Sequence, residues 1–227
     1  MKEERDFGYI WHINRHYHDL LDDIKGIRTL EEFSASDMKR RAVLFDLFQI
    51  GELANHLSPS FVHAFGEDDI DGVVGMRHHV VHGYSKLKDQ TVFAAICDRL
   101  PSFIDRLNEF GRARYEVFVR SLLGKRVTVY VDRPIAFVHE GIAYPLNYGY
   151  VEDLTALDGE FQDAYVIDQD EPLSKTRGEV VAVVRRLNDL EDKLVVATNR
   201  KDWTAEEIEK KVAFVERFFP HELILKA

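Results

Sequence analysis

The spacing of apolar residues changes part-way along the chain. Up to about residue 120, apolar positions such as Phe7, Ile10 and Trp11 recur at helix-like intervals. Beyond that point, valine-rich stretches such as RVTVYVDRP alternate between apolar and polar residues, which is typical of strands. The pattern therefore predicts a helical first half and a β-rich second half.

Capping signals divide the first half into helices. TLEE, which starts at Thr29, has the form of a capping box. A long amphipathic segment follows Ser36 and stops at a Ser-Pro pair. A third segment, DDIDGVVGMRHHVVHG, ends at Gly83, where a C-terminal glycine is common. A fourth segment is kinked or interrupted near Pro101.

The second half contains four predicted strands and a closing helix. The strands are RVTVYVDRP, QDAYVID, GEVVAVVRRL and KLVVAT, and the helix TAEEIEKKVAFVERFF opens with a capping box at Thr204. We therefore predict an α+β chain of two domains, an all-α domain over residues 1–119 and a β-rich domain over residues 120–227.

Composition narrows the class of protein. The 227 residues carry a formal net charge of -10 and no basic stripe, so bulk attraction to nucleic acid is not indicated and an RNA substrate needs a local site. A single cysteine, Cys97, excludes an internal disulfide framework and a thiolate metal cage. No apolar run approaches the roughly 20 residues of a membrane span, and MKEERDFG does not resemble a signal peptide. We expect a cytoplasmic protein with no membrane partner.

The third helical segment carries the first candidate chemistry, in RHHVVHGY. If the helix stops near His82, the imidazole can turn back toward Arg77. A guanidinium binds phosphate through a fork of donors, and a histidine near neutral pKa moves a proton. RNA supplies its own 2′-hydroxyl nucleophile, so this pair needs no metal. Alternatively, the histidines belong to an ordinary helix and Arg77 pairs with an upstream acid.

RHHVVHGY resembles the Arg-x4-His-x-Tyr motif of the HEPN superfamily, in its HepT-like toxin branch. FQIGELANHLS and IDGVVGMR resemble the segments that flank this motif. The resemblance implies a four- or five-helix bundle that cleaves RNA without metal, with Arg77 and His82 as the catalytic pair. It also implies a homodimer formed through the helical domain, and a nucleotidyltransferase (MNT-like) antitoxin that attaches AMP to Tyr84.

The second half carries clusters of carboxylates. Asp158, Glu160 and Asp163 lie in a turn that leads into a strand, and NDLEDK supplies Asp189, Glu191 and Asp192. Carboxylates at such spacing can converge on a hard cation, and magnesium then bridges them to phosphate and activates water. Acidic turns that are merely solvated are the alternative, and nearby tyrosines are often core residues.

YPLNYGY resembles the Tyr-Pro-x-Asn-Tyr-Gly-Tyr signature of family I inorganic pyrophosphatases, and DGEFQDAYV resembles their metal loop. The resemblance implies a small β-barrel with a closing helix, which uses Mg²⁺ to hydrolyse pyrophosphate or a related phosphate ester. It assigns Tyr148 and Lys193 to phosphate. It assigns the metal ion to the following carboxylates: Asp158, Glu160, Asp163, Asp189 and Asp192.

Two features depart from that family. The hairpin between VDRP and Tyr144 is shortened, leaving Arg133, His139 and Glu140 as candidates, and the C-terminal Tyr-Lys pair is missing. The leading hypothesis is a fusion of a ribonuclease toxin with a pyrophosphatase-like hydrolase that removes the pyrophosphate released when AMP is added to Tyr84. The alternatives are a non-catalytic dimeric protein that binds a nucleotide or phosphate, and a pyrophosphatase with a helical dimerisation domain.

Overall fold

A computed structural model describes residues 4–82, 88–157, 160–188 and 190–226, without the side chains of residues 78–82. The chain divides into two compact units, essentially residues 6–113 and 114–227. This division falls inside a long helix, whereas the sequence prediction places it between residues 119 and 120.

The helical unit begins with six α-helices. They are α1 (Glu4–Asp23), α2 (Leu30–Ala35), α3 (Asp37–Asn55), α4 (Pro59–Phe65), α5 (Glu67–His82) and α6 (Asp89–Ala94). The capping box at Thr29 is present, since its side chain accepts from the backbone N of Glu32. Ser58 caps α4 by accepting from the backbone N of Phe61. The Thr29 cap is as predicted, whereas Ser58, expected only to follow the end of a helix, also starts a short one.

The predicted interruption near Pro101 is a π-helical turn. It covers Ala95–Arg99 and is followed at once by α7 (Leu100–Leu122). Proline has no N–H to donate to the preceding turn, and a π-turn is a common local adjustment within a helix. The last part of α7 buries Val119 and Leu122 in the core of the second unit.

Helices α3 and α5 approach each other closely at a glycine. A Cβ added to Gly51 would lie 2.5 Å from the Cβ of Arg77 and 3.1 Å from the carbonyl oxygen of Val73. Any larger residue at position 51 would therefore push α5 away. The glycine places Arg77 directly against the surface of α3.

The second unit is a closed five-stranded barrel with one extra strand. Its elements are β1 (Arg126–Arg133), β2 (Val138–His139), β3 (Ile142–Ala143), β4 (Asn147–Thr155), β5 (Phe161–Val166), β6 (Lys175–Arg186), β7 (Lys193–Ala197), α8 (Ala205–Glu216) and β8 (His221–Leu225). The strand order is β1-β4-β5-β7-β6, closed by pairing of β6 with β1, and β8 adds to β6. Only the β5–β7 pair among these ladders is parallel. The predicted α+β class, with an all-α first half and a small barrel with a closing helix, is confirmed.

Apolar side chains fill the barrel and the space beneath α8. Alternating residues of β5, β6 and β7 form the interior, and Ile208 and Val212 of α8 pack on the outer face of the sheet. Gly149 allows β4 to lie against β1, because an added Cβ would be 1.9 Å from the carbonyl oxygen of Tyr130. The short β2–β3 hairpin lies in the segment predicted to be shortened. In the described part of the chain, no helix has the length and apolar character that crossing a membrane requires.

Candidate functional site

Two neighbouring barrel strands bring a lysine and a carboxylate together. Strands β5 and β7 run parallel, with Ala164 opposite Leu194. Asp163 precedes Ala164 and Lys193 precedes Leu194, so these two residues also lie side by side. The Lys193 ammonium donates to Asp163 Oδ2 at 2.6 Å and to Glu191 Oε2 at 2.9 Å. Lys193 is only 2% exposed, so this cation is buried, whereas its two carboxylates are partly exposed.

An arginine and a tyrosine complete this group. The Tyr148 hydroxyl bonds to Asp163, and burial together with this carboxylate raises the pKa of Tyr148, which keeps the hydroxyl protonated. The Arg133 guanidinium lies 5.2 Å from the centroid of the Tyr148 ring. It also donates to the Tyr144 hydroxyl at 2.7 Å. We name Arg133, Tyr148, Asp163, Glu191 and Lys193 the barrel cluster.

The barrel cluster is connected to a buried ion pair under α8. Arg186 donates from Nε and Nη2 to the two oxygens of Glu216, at 2.9 and 3.0 Å. The Tyr165 hydroxyl donates to the same carboxylate at 2.5 Å. Arg186 Nη1 then donates to Glu191 Oε2 at 3.2 Å. Glu191 therefore accepts from both Arg186 and Lys193, and hydrogen bonds to Lys193 lower the pKa of Glu191.

Among the described residues, the carboxylate of Asp192, a predicted metal ligand, bonds to the backbone rather than to Asp163 or Lys193. Its Oδ1 accepts from the backbone N of Arg186 at 2.9 Å, and its buried Oδ2 has no partner among the described residues. Burial raises the pKa of Asp192 to about 7. Because successive residues of an extended chain point to opposite faces, Glu191 shares the face of Lys193 and Asp192 does not.

The remaining predicted metal ligands flank these strands in the sequence. Glu160 is exposed immediately before β5, and Asp158 and Asp189 lie outside the described residues. Asp163, a member of the predicted metal set, shares the site with Lys193. Glu191, which the NDLEDK segment also offers, is the second carboxylate that bonds to Lys193.

Arg77 lies on α5 and forms an ion pair through its Nε with Glu52 of α3. This is the pairing with an upstream acid that the sequence left open as an alternative. The Arg77 side chain is 34% exposed, so part of the guanidinium still faces solvent. His82 is the last residue of α5. Its side chain and the whole of Tyr84 lie outside the described residues.

The helical half matches a known protein family. Residues 14–110 match the family described as Ribonuclease HepT-like. The helical half of this chain is therefore similar to the HepT-like ribonucleases. The match spans α3 and α5, and therefore includes both Glu52 and Arg77 of the HepT-like half. No sequence among curated proteins matches the chain.

Solved structures similar to this chain include inorganic pyrophosphatases. The enzyme from Ehrlichia chaffeensis has 16% identity and a TM-score of 0.38, covering 45% of this chain and 87% of that one. The enzyme from Neisseria gonorrhoeae has 16% identity and a TM-score of 0.34, covering 44% and 80%. The one from Coxiella burnetii has 16% identity and a TM-score of 0.35, covering 42% and 78%.

Sequence inspection missed several residues of these sites. Glu191 could have been preferred to Asp192, because only residues two apart share a face with Lys193 in a strand. Arg133 was among the candidates near the shortened hairpin, and its contact with two tyrosines depends on the pairing of β1 with β4. Glu216 gave no sequence signal, because a glutamate in an amphipathic helix usually faces solvent.

Proposed function

We propose that the HepT-like half is a metal-independent ribonuclease that acts as the toxin of a toxin–antitoxin pair. The observation that carries this proposal is the family match over residues 14–110, together with the partly exposed Arg77 on α5. In this proposal Arg77 holds the scissile phosphate and His82 moves the proton of the 2′-hydroxyl. A second copy of the chain completes the cleft, and an MNT-like antitoxin adds AMP to Tyr84.

Glu52 is a positioning residue in this proposal. Its carboxylate engages Arg77 through Nε, and the Nη groups of Arg77 make no bond to the described residues. A guanidinium held by one edge keeps the other edge available for phosphate. Gly51 contributes by allowing the close contact between the two helices.

Cleavage of RNA by the purified full-length protein in the presence of EDTA tests this function. We expect Arg77→Ala and His82→Ala each to reduce the cleavage rate by about 100-fold or more, as removal of a general acid or base or of a phosphate donor does. His63→Ala is the matched control, because His63 is an exposed helical histidine that bonds only to Glu67 among the described residues. Activity equal in wild type and His82→Ala would contradict the proposal.

The barrel supports a second function, hydrolysis of a phosphoanhydride or phosphate ester. The observation that carries it is the convergence of two cations, Arg133 and Lys193, with the hydroxyl of Tyr148 and the carboxylates of Asp163 and Glu191. Cations and a protonated hydroxyl bind phosphate oxygens, whereas carboxylates bind hard cations. The YPLNYGY motif independently indicates the same class of substrate.

The donors present fit a magnesium ion. Asp163 and Glu191 each offer a partly exposed carboxylate, with side chains 36% and 53% exposed, and both bond to one ammonium, so they lie close enough to share a cation. Bound magnesium supplies charge neutralisation of phosphate and a water molecule of lowered pKa. Asp163 and Glu191 would hold it, and the predicted ligands Glu160, Asp158 and Asp189 remain proposals.

The chain's own residues then divide the remaining work. Lys193 and Arg133 bind the phosphate oxygens and stabilise the charge that develops on the leaving group. Tyr148 donates a hydrogen bond to the phosphate or to Asp163, because burial keeps it protonated. Asp163 accepts the proton of the attacking water, whose oxygen bonds to phosphorus while the bridging oxygen departs.

Phosphate release from pyrophosphate, measured with and without Mg²⁺, tests this second function. We expect Asp163→Asn and Lys193→Met to abolish release, while Asp153→Asn, which changes an exposed carboxylate of β4, leaves it intact. Absence of release from the wild type would exclude the hydrolase. If equilibrium dialysis with radiolabelled pyrophosphate nevertheless shows binding that depends on Lys193, the barrel is a phosphate-binding regulatory module.

The two functions have a chemical connection. Transfer of AMP to Tyr84 releases pyrophosphate, and its hydrolysis in the same chain would pull that reaction forward. A reconstituted reaction with the antitoxin should therefore proceed further with the wild type than with Asp163→Asn. If RNA cleavage does not depend on Arg77, the helical half serves only to dimerise a pyrophosphatase-like barrel.

A further inference from the structure

A mixed group of one imidazole and two carboxylates lies between α1 and α3, and neither proposed function uses it. His16 and Asp19 are three residues apart on α1, and Asp46 lies in the middle of α3. Each side chain offers one ligand atom, and these atoms all lie within 4.8 Å of one another. His16 Nδ1 is 2.9 Å from Asp46 Oδ1.

The environment of Asp46 is unusual for a carboxylate. Asp46 is only 4% exposed and lies between the buried Leu44 and Leu47. In the described part of the chain, His16 is the only residue that bonds to it, and neither Asp46 nor Asp19 has a lysine or arginine partner. A buried carboxylate requires a compensating positive charge or a shared proton. One imidazole is the only group supplied here.

The neighbouring charges increase this deficit. Burial raises the pKa of Asp46, and the nearby carboxylates of Asp23 and Asp19 raise it further, whereas only His16 lowers it. The carboxylates of Asp19 and Asp23 therefore add negative charge around Asp46, and His16 is the group that offsets it directly. A divalent cation between these groups would remove the repulsion that makes the arrangement costly.

We propose that His16, Asp19 and Asp46 form a binding site for a divalent transition-metal ion, with Zn²⁺ as the best match. Three protein ligands from imidazole and carboxylate are the set found where zinc keeps an open position for water. Magnesium and calcium prefer oxygen ligands alone, so the imidazole separates this site from the carboxylates of the barrel. Asp19 is exposed, which gives an ion access from solvent.

A metal site needs Asp19 as a third ligand, and a simple His–Asp pair does not. An ion pair or hydrogen bond between His16 and Asp46 needs no third residue, whereas a metal site does. Asp19 is exposed, so its replacement leaves the packing of the helices unchanged. Asp19→Asn is therefore the variant that separates metal binding from a structural role.

Titration of the full-length protein with Zn²⁺ by calorimetry, and with Co²⁺ followed by visible absorption, tests the proposal. Each measurement is made in an Asp163→Asn background, so that binding in the barrel does not contribute. We expect one Zn²⁺ per chain. We expect Asp19→Asn and His16→Ala to weaken binding by more than the roughly 10–100-fold that loss of an outer partner causes. His18→Ala is the matched control, because His18 is an exposed histidine of the same helix.

Unchanged zinc affinity in both Asp19→Asn and His16→Ala would overturn the proposal, as would failure of the wild type to bind zinc. Binding that depends on His16 but not on Asp19 would likewise refute the three-residue site. Helical circular dichroism of each variant, measured without metal, shows whether the fold is intact. RNA cleavage in EDTA is independent of this outcome, so the proposed ribonuclease function stands or falls separately.

Discussion

The ion pair between Arg186 and Glu216 gives the sharpest test of how the barrel is held together. Both side chains are almost completely buried, at 4% and 0% exposure. Replacing Glu216 with Gln keeps the shape and removes the negative charge. Arg186 would then retain its charge beneath α8, and Glu191, which is about half exposed, is a carboxylate that still pairs with it.

The expected cost follows from the burial. Removing one partner of a buried ion pair costs about 3–5 kcal/mol, because the remaining charge stays desolvated. Gln can still accept from Arg186 and from Tyr165, so we expect the lower end, about 3 kcal/mol. With a urea m-value of about 2 kcal/mol per molar, the unfolding midpoint of the barrel should fall by about 1.5 M. Lys193 should also be held less firmly, because Arg186 and Lys193 share Glu191.

Urea unfolding followed by tryptophan fluorescence measures this change. Trp203 lies in the barrel unit and Trp11 in the helical unit, so a Trp11→Phe background isolates the barrel signal. Glu206→Gln is the control, because it makes the same substitution on α8 in a solvent-exposed pair with Lys210, which contributes little. If the two substitutions lower the midpoint equally, the buried pair does not stabilise the barrel as argued.

Two further predictions concern glycine packing and pH. Gly51→Ala should destabilise the helical unit by about 1–3 kcal/mol through overpacking against Arg77. At Gly72 an added Cβ meets nothing within 4 Å, so Gly72→Ala should stabilise the unit by about 0.5–1 kcal/mol. Urea unfolding of the two variants, followed by the fluorescence of Trp11, measures these opposite changes. Asp192 has a folded pKa of about 7 against about 4 when unfolded. The free energy of unfolding of the barrel should therefore decrease as the pH rises from about 4 to about 7, because the unfolded chain ionises Asp192 first. Asp192→Asn should remove this pH dependence. An unchanged pH dependence in Asp192→Asn would show that burial of Asp192 is not its cause.

Part of the fold could be predicted because it depends on local chemistry. Thr29 and Thr204 cap helices where the sequence indicates, and valine alternation identifies β1, β6 and β7. The sequence used Ser58 only to end a helix, and the structure shows that it also caps α4. Strand β8 was missed, because HELIL follows a helix without a strong turn signal and pairs with β6, which is distant in sequence. The segment that carries YPLNYGY was noticed for its motif, although most of it is also strand β4.

The sequence by itself determined the helical and β-rich halves, the helix caps and the residue types from which two sites could be built, because these depend on spacing and on neighbours along the chain. Tertiary structure alone decided which of those residues meet. The parallel pairing of β5 with β7 places Lys193 beside Asp163, and strand alternation selects Glu191 over Asp192. The close contact of α3 with α5 at Gly51 joins Arg77 to Glu52. Such contacts depend on strand register and interhelical distance, which residues far apart in sequence set together.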